Sequence, residues 1–146
     1  MDTKFSVALH ILAFISETDK EANSTALANS VNTNSSHIRK ITALLKKAGL
    51  LTSHQGKSGF KLARNKDNIL LSDVYQAVYP EKSVLHVHED ANPECPIGLH
   101  IGEILTPTFA HAKEGLLHEL QKESLADLIN KLYAANQSKE IEIGEK

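Results

Sequence analysis

The chain has 146 residues, one cysteine, no tryptophan and a formal net charge of −2, which suits one domain or one domain with an extension. One cysteine excludes an internal disulfide, and no apolar run approaches the roughly 20 residues that span a bilayer. The first residues lack the layout of a secretory signal, so the composition predicts a protein of the reducing cytoplasm.

The charges are divided unevenly along the chain. Residues 1–66 contain ten Lys and Arg against four Asp and Glu, a net +6, whereas residues 67–146 contain six against fourteen, a net −8. This division is expected when only the first half meets phosphate groups, and chance clustering of solvated charges is the alternative.

Three helices are predicted in the first third of the chain. Apolar residues recur at helical spacing over residues 3–17, and a short helix follows over Thr25–Val31 with Ser24 as its N-cap. A third helix, about Ser36–Ala48, begins after a cap at Asn34 or Ser35. Its apolar face is predicted to contain Ile38, Ile41, Leu44, Leu45 and Ala48. Its other face is predicted to contain Ser36, His37, Arg39, Lys40, Thr42, Ala43, Lys46 and Lys47.

A basic hairpin and a fourth helix follow. Leu50–His54 and Phe60–Ala63 are short enough for two strands, and the glycine-containing loop between them forms a wing. The fourth helix runs from Ser72 to about Val78, where Pro80 ends it. The order of helix, helix, hairpin and helix is typical of a winged helix-turn-helix. The predicted fold is therefore mostly α with a small two-stranded β wing, followed by a long C-terminal dimerisation helix.

The second half of the chain is predicted to be a linker and two helices. Pro96 suits the first turn of a long helix with an apolar stripe, in which Pro107 is expected to cause a kink or a break. Ser124 and Asp127 resemble a capping box for a last helix. The last helix is predicted to turn Leu125, Leu128, Ile129 and Leu132 inward.

These patterns divide the chain into four predicted parts. A winged helix-turn-helix DNA-binding domain occupies 1–80, a linker and sensor loop 81–96, dimerisation helices 97–136, and a frayed charged tail 137–146.

The short polar and basic side chains of the third helix and the wing are the candidate DNA contacts. Lys and Arg donate to guanine or phosphate, and residues at a helix start hold phosphate with their backbone N–H groups. A helical bundle with a solvated basic face is the alternative. The candidate residues are Ser24, Thr25, Ser35, Ser36, His37, Arg39, Lys40, Lys46, Lys57 and Lys61.

The chain resembles the Rrf2 family of bacterial repressors over nearly its whole length. That family includes an iron–sulfur-cluster regulator, a nitric-oxide-sensing repressor and a cysteine-metabolism repressor. The segments that carry the resemblance are Ser24–Ala28, His37–Ile41, Leu45–Leu51, Gly56–Ala63, Ile69–Val74 and Asn92–Gly98.

The resemblance implies a homodimer built through the long helix, a partly palindromic operator, and sensing by clusters or thiols in the loop before that helix. Two positions depart from the family pattern. Gln55 stands where the wing often has an arginine, and His37 stands where the reading helix often has an aromatic residue.

Cys95 lies in the loop where cluster-binding members use three cysteines. One thiolate per chain cannot supply a three-thiolate site, so no cofactor is predicted. The alternatives are a thiol sensor, oxidised to a sulfenic acid or to a mixed disulfide with a small thiol, and a small buried residue without a role.

Other readings of the chain stay open. A metal site of His86, His88, Glu89, Asp90 and His100 is possible in principle, but solvated linker histidines are favoured and no metal is predicted. His10, His111 and His118 lie on helix faces without expected partners. A winged-helix protein–protein module without DNA binding is the main alternative. A thiol enzyme using Cys95 and His100 is disfavoured, since residues five apart on a helix face each other poorly.

Overall fold

The computed structural model describes residues 2–54, 58–80 and 85–139. A mostly helical chain with one antiparallel pair of strands confirms the predicted winged-helix fold. In these residues no helix is long and apolar enough to cross a membrane. The elements in chain order are α1 (Lys4–Glu17), α2 (Ser24–Val31), α3 (Ser35–Lys47), β1 (Leu51–Ser53), β2 (Phe60–Leu62), a 3-10 turn (Lys66–Asn68), α4 (Leu71–Val78), α5 (Pro96–Leu120) and α6 (Leu125–Lys139).

One apolar core joins the beginning and the end of the chain. Helices α1 to α4 supply most of it, and α6 adds two side chains that are almost completely buried. Burying one aliphatic side chain stabilises a fold by roughly 1.5–3 kcal/mol, so this cluster is the main source of stability. Its largest fully buried members are Ile11, Leu12, Leu27, Ile38, Ile41, Leu45, Leu50, Ile69, Val74, Leu125 and Ile129.

Helix α6 returns to the N-terminal unit through backbone hydrogen bonds. The Leu125 N–H donates to the Ile69 carbonyl at 2.7 Å, and the Leu71 N–H donates to the Glu123 carbonyl at 2.9 Å. The segment that leaves the wing is thereby bonded to the turn between α5 and α6. Although most of α6 lies within the range predicted for dimerisation helices, Leu125 and Ile129 of its apolar face are buried inside its own protomer.

The predicted capping box at the start of α6 is confirmed. The Ser124 hydroxyl accepts from the Asp127 N–H at 3.1 Å, and the Asp127 carboxylate accepts from the Ser124 N–H at 3.0 Å. The inward prediction is wrong for Leu132, which is 43% exposed because α6 ends its contact with the core one turn earlier, at Ile129. The helix continues to Lys139, into the range predicted as a frayed tail, and residues 140–146 lie outside the described residues.

The helix-turn-helix begins one residue earlier than the sequence pattern predicts. Asn23, not Ser24, is the N-cap of α2, since its side chain accepts from the Ala26 N–H at 2.8 Å. Two face assignments in α3 are also wrong. Thr42 is buried, with its hydroxyl donating to the Arg39 carbonyl at 3.2 Å, and Ala48 is exposed at the helix end.

Helix α5 is continuous through Pro107, so of the two predicted alternatives, a kink or a break, the break is wrong. Proline has no backbone N–H, so the helix loses one hydrogen-bond donor at Pro107. The hydroxyls of the two neighbouring threonines donate to backbone carbonyls of the preceding turn. Thr106 donates to the Gly102 carbonyl at 2.6 Å, and Thr108 donates to the Ile104 carbonyl. None of the 25 residues of α5 is buried in the protomer.

Candidate nucleic-acid interface

Helix α3 presents one continuous polar and basic surface, which we call the basic face. Its exposed members recur three or four residues apart, so they lie on one side of the helix opposite the core residues. This opposition is the pattern needed to hold a helix against the protein while it contacts a polar partner. The basic face consists of Ser36, Arg39, Lys40, Ala43, Lys46 and Lys47.

The start of α3 is held by its cap. The Asn34 side chain accepts from the His37 N–H at 2.8 Å, which fixes the entry of the chain into the helix. Ser35 and Ser36 occupy the first turn, where the helix dipole and the free backbone N–H groups favour an anion. His37 and Ser35 are half-buried, whereas Ser36 is exposed. In α2, Ser24 is half-buried and Thr25 is exposed.

The wing lies beside α3 and is fixed at its base. β1 and β2 pair so that Thr52 lies opposite Lys61, which is exposed. The Phe60 N–H donates to the Ala22 carbonyl at 3.0 Å, in the segment between α1 and α2. Gly59 has a φ of 106°, and a Cβ there would lie 3.0 Å from the Ala22 carbonyl carbon, so glycine suits this position. Lys57, a predicted DNA contact, lies outside the described residues.

Lys46 connects the basic face to the wing. Its ammonium donates to the Ser53 hydroxyl on β1 at 2.9 Å. Lys46 is also a predicted DNA contact, and in this conformation its ammonium bonds α3 to the hairpin. The structure therefore brings Arg39, Lys40 and Lys46 to one surface of α3, and Lys61 is exposed on the second strand of the hairpin.

Asn34→Ala is expected to reduce the free energy of unfolding by about 1 kcal/mol, because the His37 N–H loses its capping acceptor. In a chain of this size that corresponds to a melting temperature roughly 3 °C lower. The measurement is thermal unfolding followed by circular dichroism, with Asn130→Ala on the exposed side of α6 as the control. Equal melting temperatures for the two variants would contradict the capping role.

Cys95 lies at the N-cap position of α5 and is exposed, so the interpretation as a buried residue is wrong. The turn before it is ordered by Asn92, whose carbonyl accepts from the Cys95 N–H at 3.1 Å. Gly98 permits this arrangement, since a Cβ there would collide with the Asn92 carbonyl oxygen. The backbone N–H of Gly98, and then that of Ile97, hold the pKa of the Cys95 thiol below its usual value.

In the described part of the chain, the histidine and acidic residues considered as an alternative metal site are not gathered into one. There, no group of three His, Cys, Asp or Glu side chains is placed to hold a metal ion. His100 is instead paired with Glu103 on the same helix, Nδ1 to Oε1, at 2.6 Å. His86 and His88 are both exposed.

An apolar groove of about 580 Å³ lies between α1 and α6, and the sequence pattern did not predict it. We call it the α1–α6 groove. His10 lies in it and its Nε2 is 2.9 Å from the Ser30 hydroxyl on α2, so the expectation that His10 has no partner is wrong. The sequence signal for this groove was the broad apolar face of α1, because that face is wider than the protomer core covers. The groove is lined by Phe5, Ser6, Leu9, His10, Ala13, Phe14, Glu17, Thr18, Ser30, Leu128, Ile129, Leu132 and Tyr133.

Comparison with known proteins places this geometry among transcriptional regulators. A family model described as Rrf2, an iron-dependent transcriptional regulator, matches residues 1–131. YwnA of Bacillus subtilis (strain 168), named as a candidate HTH-type transcriptional regulator, is 39% identical over 133 residues, covering 91% of this chain and 99% of its own. The relatives are regulators and not enzymes.

Two solved structures share the fold and part of the sequence. A crystal structure of a candidate DNA-binding protein is 38% identical with a TM-score of 0.71, covering 86% of this chain and 98% of its own. A candidate transcriptional regulator from Lactobacillus plantarum is 28% identical with a TM-score of 0.74, covering 96% of both chains.

An all-cysteine iron–sulfur cluster does not fit the donor set of this chain, although the family is described as iron-dependent. An iron–sulfur cluster needs about four ligands, most of them thiolates, and each chain has one cysteine. Two chains would supply two thiolates, which is too few for an all-cysteine cluster. The loop around Cys95 therefore has the chemistry of a single thiol.

Proposed function

The chain belongs to the Rrf2 family of transcriptional regulators, and from this premise we propose that it is a dimeric cytoplasmic repressor that binds a two-fold operator. The observation that carries the proposal is the exposed basic face of α3, which Lys46 joins to the hairpin through Ser53. A helix of this kind enters the major groove of DNA, and the wing contacts the adjacent backbone. The proposed contacts are Ser24, Thr25, Ser35, Ser36, His37, Arg39, Lys40, Lys46, Lys57 and Lys61.

Dimerisation through α5 is supported by the large apolar side chains of this helix that are exposed in the protomer. A helix of 25 residues is about 38 Å long, yet Ile97 is 72% exposed and Ile104 is 62% exposed. Large exposed apolar side chains in a contiguous patch mark interaction surfaces. A two-fold axis through α5 would present two α3 helices to one face of a DNA duplex.

A thiol switch at Cys95 is the proposed regulation. The exposed sulfur at a helix N-terminus, with its lowered pKa, has the features of a reactive thiolate. The thiolate attacks one oxygen of hydrogen peroxide, an S–O bond forms as the O–O bond breaks, and the hydroxide that leaves takes a proton to become water. The resulting sulfenic acid, or a mixed disulfide formed with a small thiol, changes the first turn of α5.

The test is fluorescence anisotropy of the protein on DNA from its own upstream region and on unrelated DNA, over a salt series, before and after mild peroxide. Preferential, salt-dependent binding that responds to peroxide, with no response in Cys95→Ser, is the expected result. Specific binding that ignores peroxide would end the thiol proposal and leave the repressor.

A protein–protein module without DNA binding is the second candidate. Gln55 in place of the family's wing arginine favours it. Weak binding to every DNA, nearly independent of salt, would support this module, because phosphate contacts release counterions and make binding strongly salt-dependent.

A further inference from the structure

The wing hairpin is anchored in the core at its base and becomes exposed towards its tip. Each strand has three residues, and Leu50, just before β1, and Leu51, its first residue, are buried. The Ala63 N–H donates to the Leu50 carbonyl at 3.0 Å, which closes the base of the hairpin. Further along, Ser53 and His54 are both exposed. Because an isolated two-stranded hairpin is marginally stable in water, the exposed part depends on contacts with neighbouring elements.

Each strand of this exposed part is bonded to an element outside the hairpin. On β2, the Phe60 N–H donates to the Ala22 carbonyl at 3.0 Å. On β1, the Ser53 hydroxyl accepts from the Lys46 ammonium at 2.9 Å. Ser53 and Phe60 lie opposite each other in the register of the two strands, so both bonds act at one level of the hairpin. The wing is thereby held from the segment before α2 and from the last turn of α3.

We propose that Lys46 is a positioning residue for DNA binding, which holds the wing against α3 through Ser53 so that helix and wing contact one duplex together. The inference rests on the proposed DNA binding and assigns Lys46 the role of holding the wing, in place of neutralising a phosphate. Its position supports this role, since Lys46 lies in the last turn of α3, whereas the first residues of a recognition helix contact base edges.

The bond acts on DNA affinity through preorganisation of the wing. Lys46 and Ser53 are both exposed, and substitutions at such positions have little effect on folding stability. A wing that is already placed in the free protein loses less conformational freedom when DNA binds. Loss of the bond is therefore expected to weaken DNA binding by about 3- to 10-fold, the equivalent of one hydrogen bond.

Ser53→Ala is the variant that tests this role, because it removes the acceptor without changing any charge. The measurement is fluorescence anisotropy over a salt series, on a duplex that the wild-type protein selects from a random pool. Ser53→Ala and Lys46→Met are expected to show the same 3- to 10-fold loss of affinity, or about that, and the same dependence on salt. The double variant should bind no worse than either single variant, since each removes the same bond. Ser53→Thr keeps the hydroxyl and should restore binding.

Footprints of the saturated complexes separate a displaced wing from a general loss of affinity. Hydroxyl radicals report which parts of the DNA backbone the protein covers, and dimethyl sulfate reports guanine N7 in the major groove. In Ser53→Ala and in Lys46→Met, backbone protection beside the half-sites should weaken while guanine protection persists. Equal weakening of both kinds of protection would overturn the inference.

Lys40→Met is the matched control, because it removes the same charge from an earlier turn of α3. It should lower the slope of log K against log salt by about 0.9, and its effect should add to that of Ser53→Ala. If Lys46→Met behaves like Lys40→Met while Ser53→Ala binds as the wild type does, Lys46 is a phosphate contact and the inference is overturned. Additive losses in the double variant of Ser53 and Lys46 would overturn it as well. A wild-type protein that selects no duplex would instead overturn the proposed DNA binding itself.

Discussion

Ile129→Ala is expected to lower the free energy of unfolding by about 2–5 kcal/mol, although the residue lies far from the winged helix in sequence. Ile129 is 1% exposed and belongs to the core that α1 to α4 build. Removing its outer carbon atoms loses burial and leaves a cavity that the surrounding helices fill only partly. The loss is a large fraction of the 5–15 kcal/mol that typically stabilises a protein, so the variant approaches unfolding at growth temperature.

Urea unfolding at several protein concentrations measures this effect and separates protomer stability from dimerisation. Ile129→Val is the graded control and should cost only about 0.5–1.5 kcal/mol, since it removes a single methyl group. If the alanine variant loses no more than the valine variant, α6 is not part of the core.

Arg39→Ala is expected to weaken binding to the operator by about 1–3 kcal/mol, which is about 5- to 150-fold. Arg39 is exposed on the basic face, and its backbone lies on a helix held by core residues on its other side. The guanidinium offers paired donors to guanine, so its loss should also relax the preference between operator and unrelated DNA. Anisotropy titrations on both DNAs measure the change.

Lys40→Ala tests the phosphate contacts of the same face. It should lower the slope of log K against log salt by about 0.9, the value for one released counterion. Lys122→Ala removes the same charge in the turn between α5 and α6, where Lys122 pairs with Glu119, and should leave the slope unchanged. Equal slopes for the two variants would mean that the Lys40 ammonium does not contact a DNA phosphate.

The winged-helix order could be predicted from local signals alone. Asn and Ser at helix starts, glycines in the hairpin and the apolar spacing of α3 act within a few residues, so their outcome does not depend on the rest of the fold. The capping box of Ser124 and Asp127 was visible for the same reason.

The long-range features could not be predicted in this way. The return of α6 depends on hydrogen bonds between Ile69 and Leu125, which are 56 positions apart, and no local pattern encodes that pairing. Thr42 was assigned to the polar face by residue type, yet its hydroxyl is satisfied by the Arg39 carbonyl of its own helix. The α1–α6 groove arises only when α6 takes its place. The DNA contacts, the dimer and the role of Cys95 remain predictions.

Selection of DNA duplexes from a random pool by the wild-type protein, followed by sequencing, tests the central claim most directly, because it does not require the operator to be known. A dimer that presents two α3 helices should enrich a motif with two-fold symmetry, with half-sites about one helical turn of DNA, or a multiple of it, apart. A pool without any enriched motif, or an enriched motif without two-fold symmetry, would contradict the dimeric repressor.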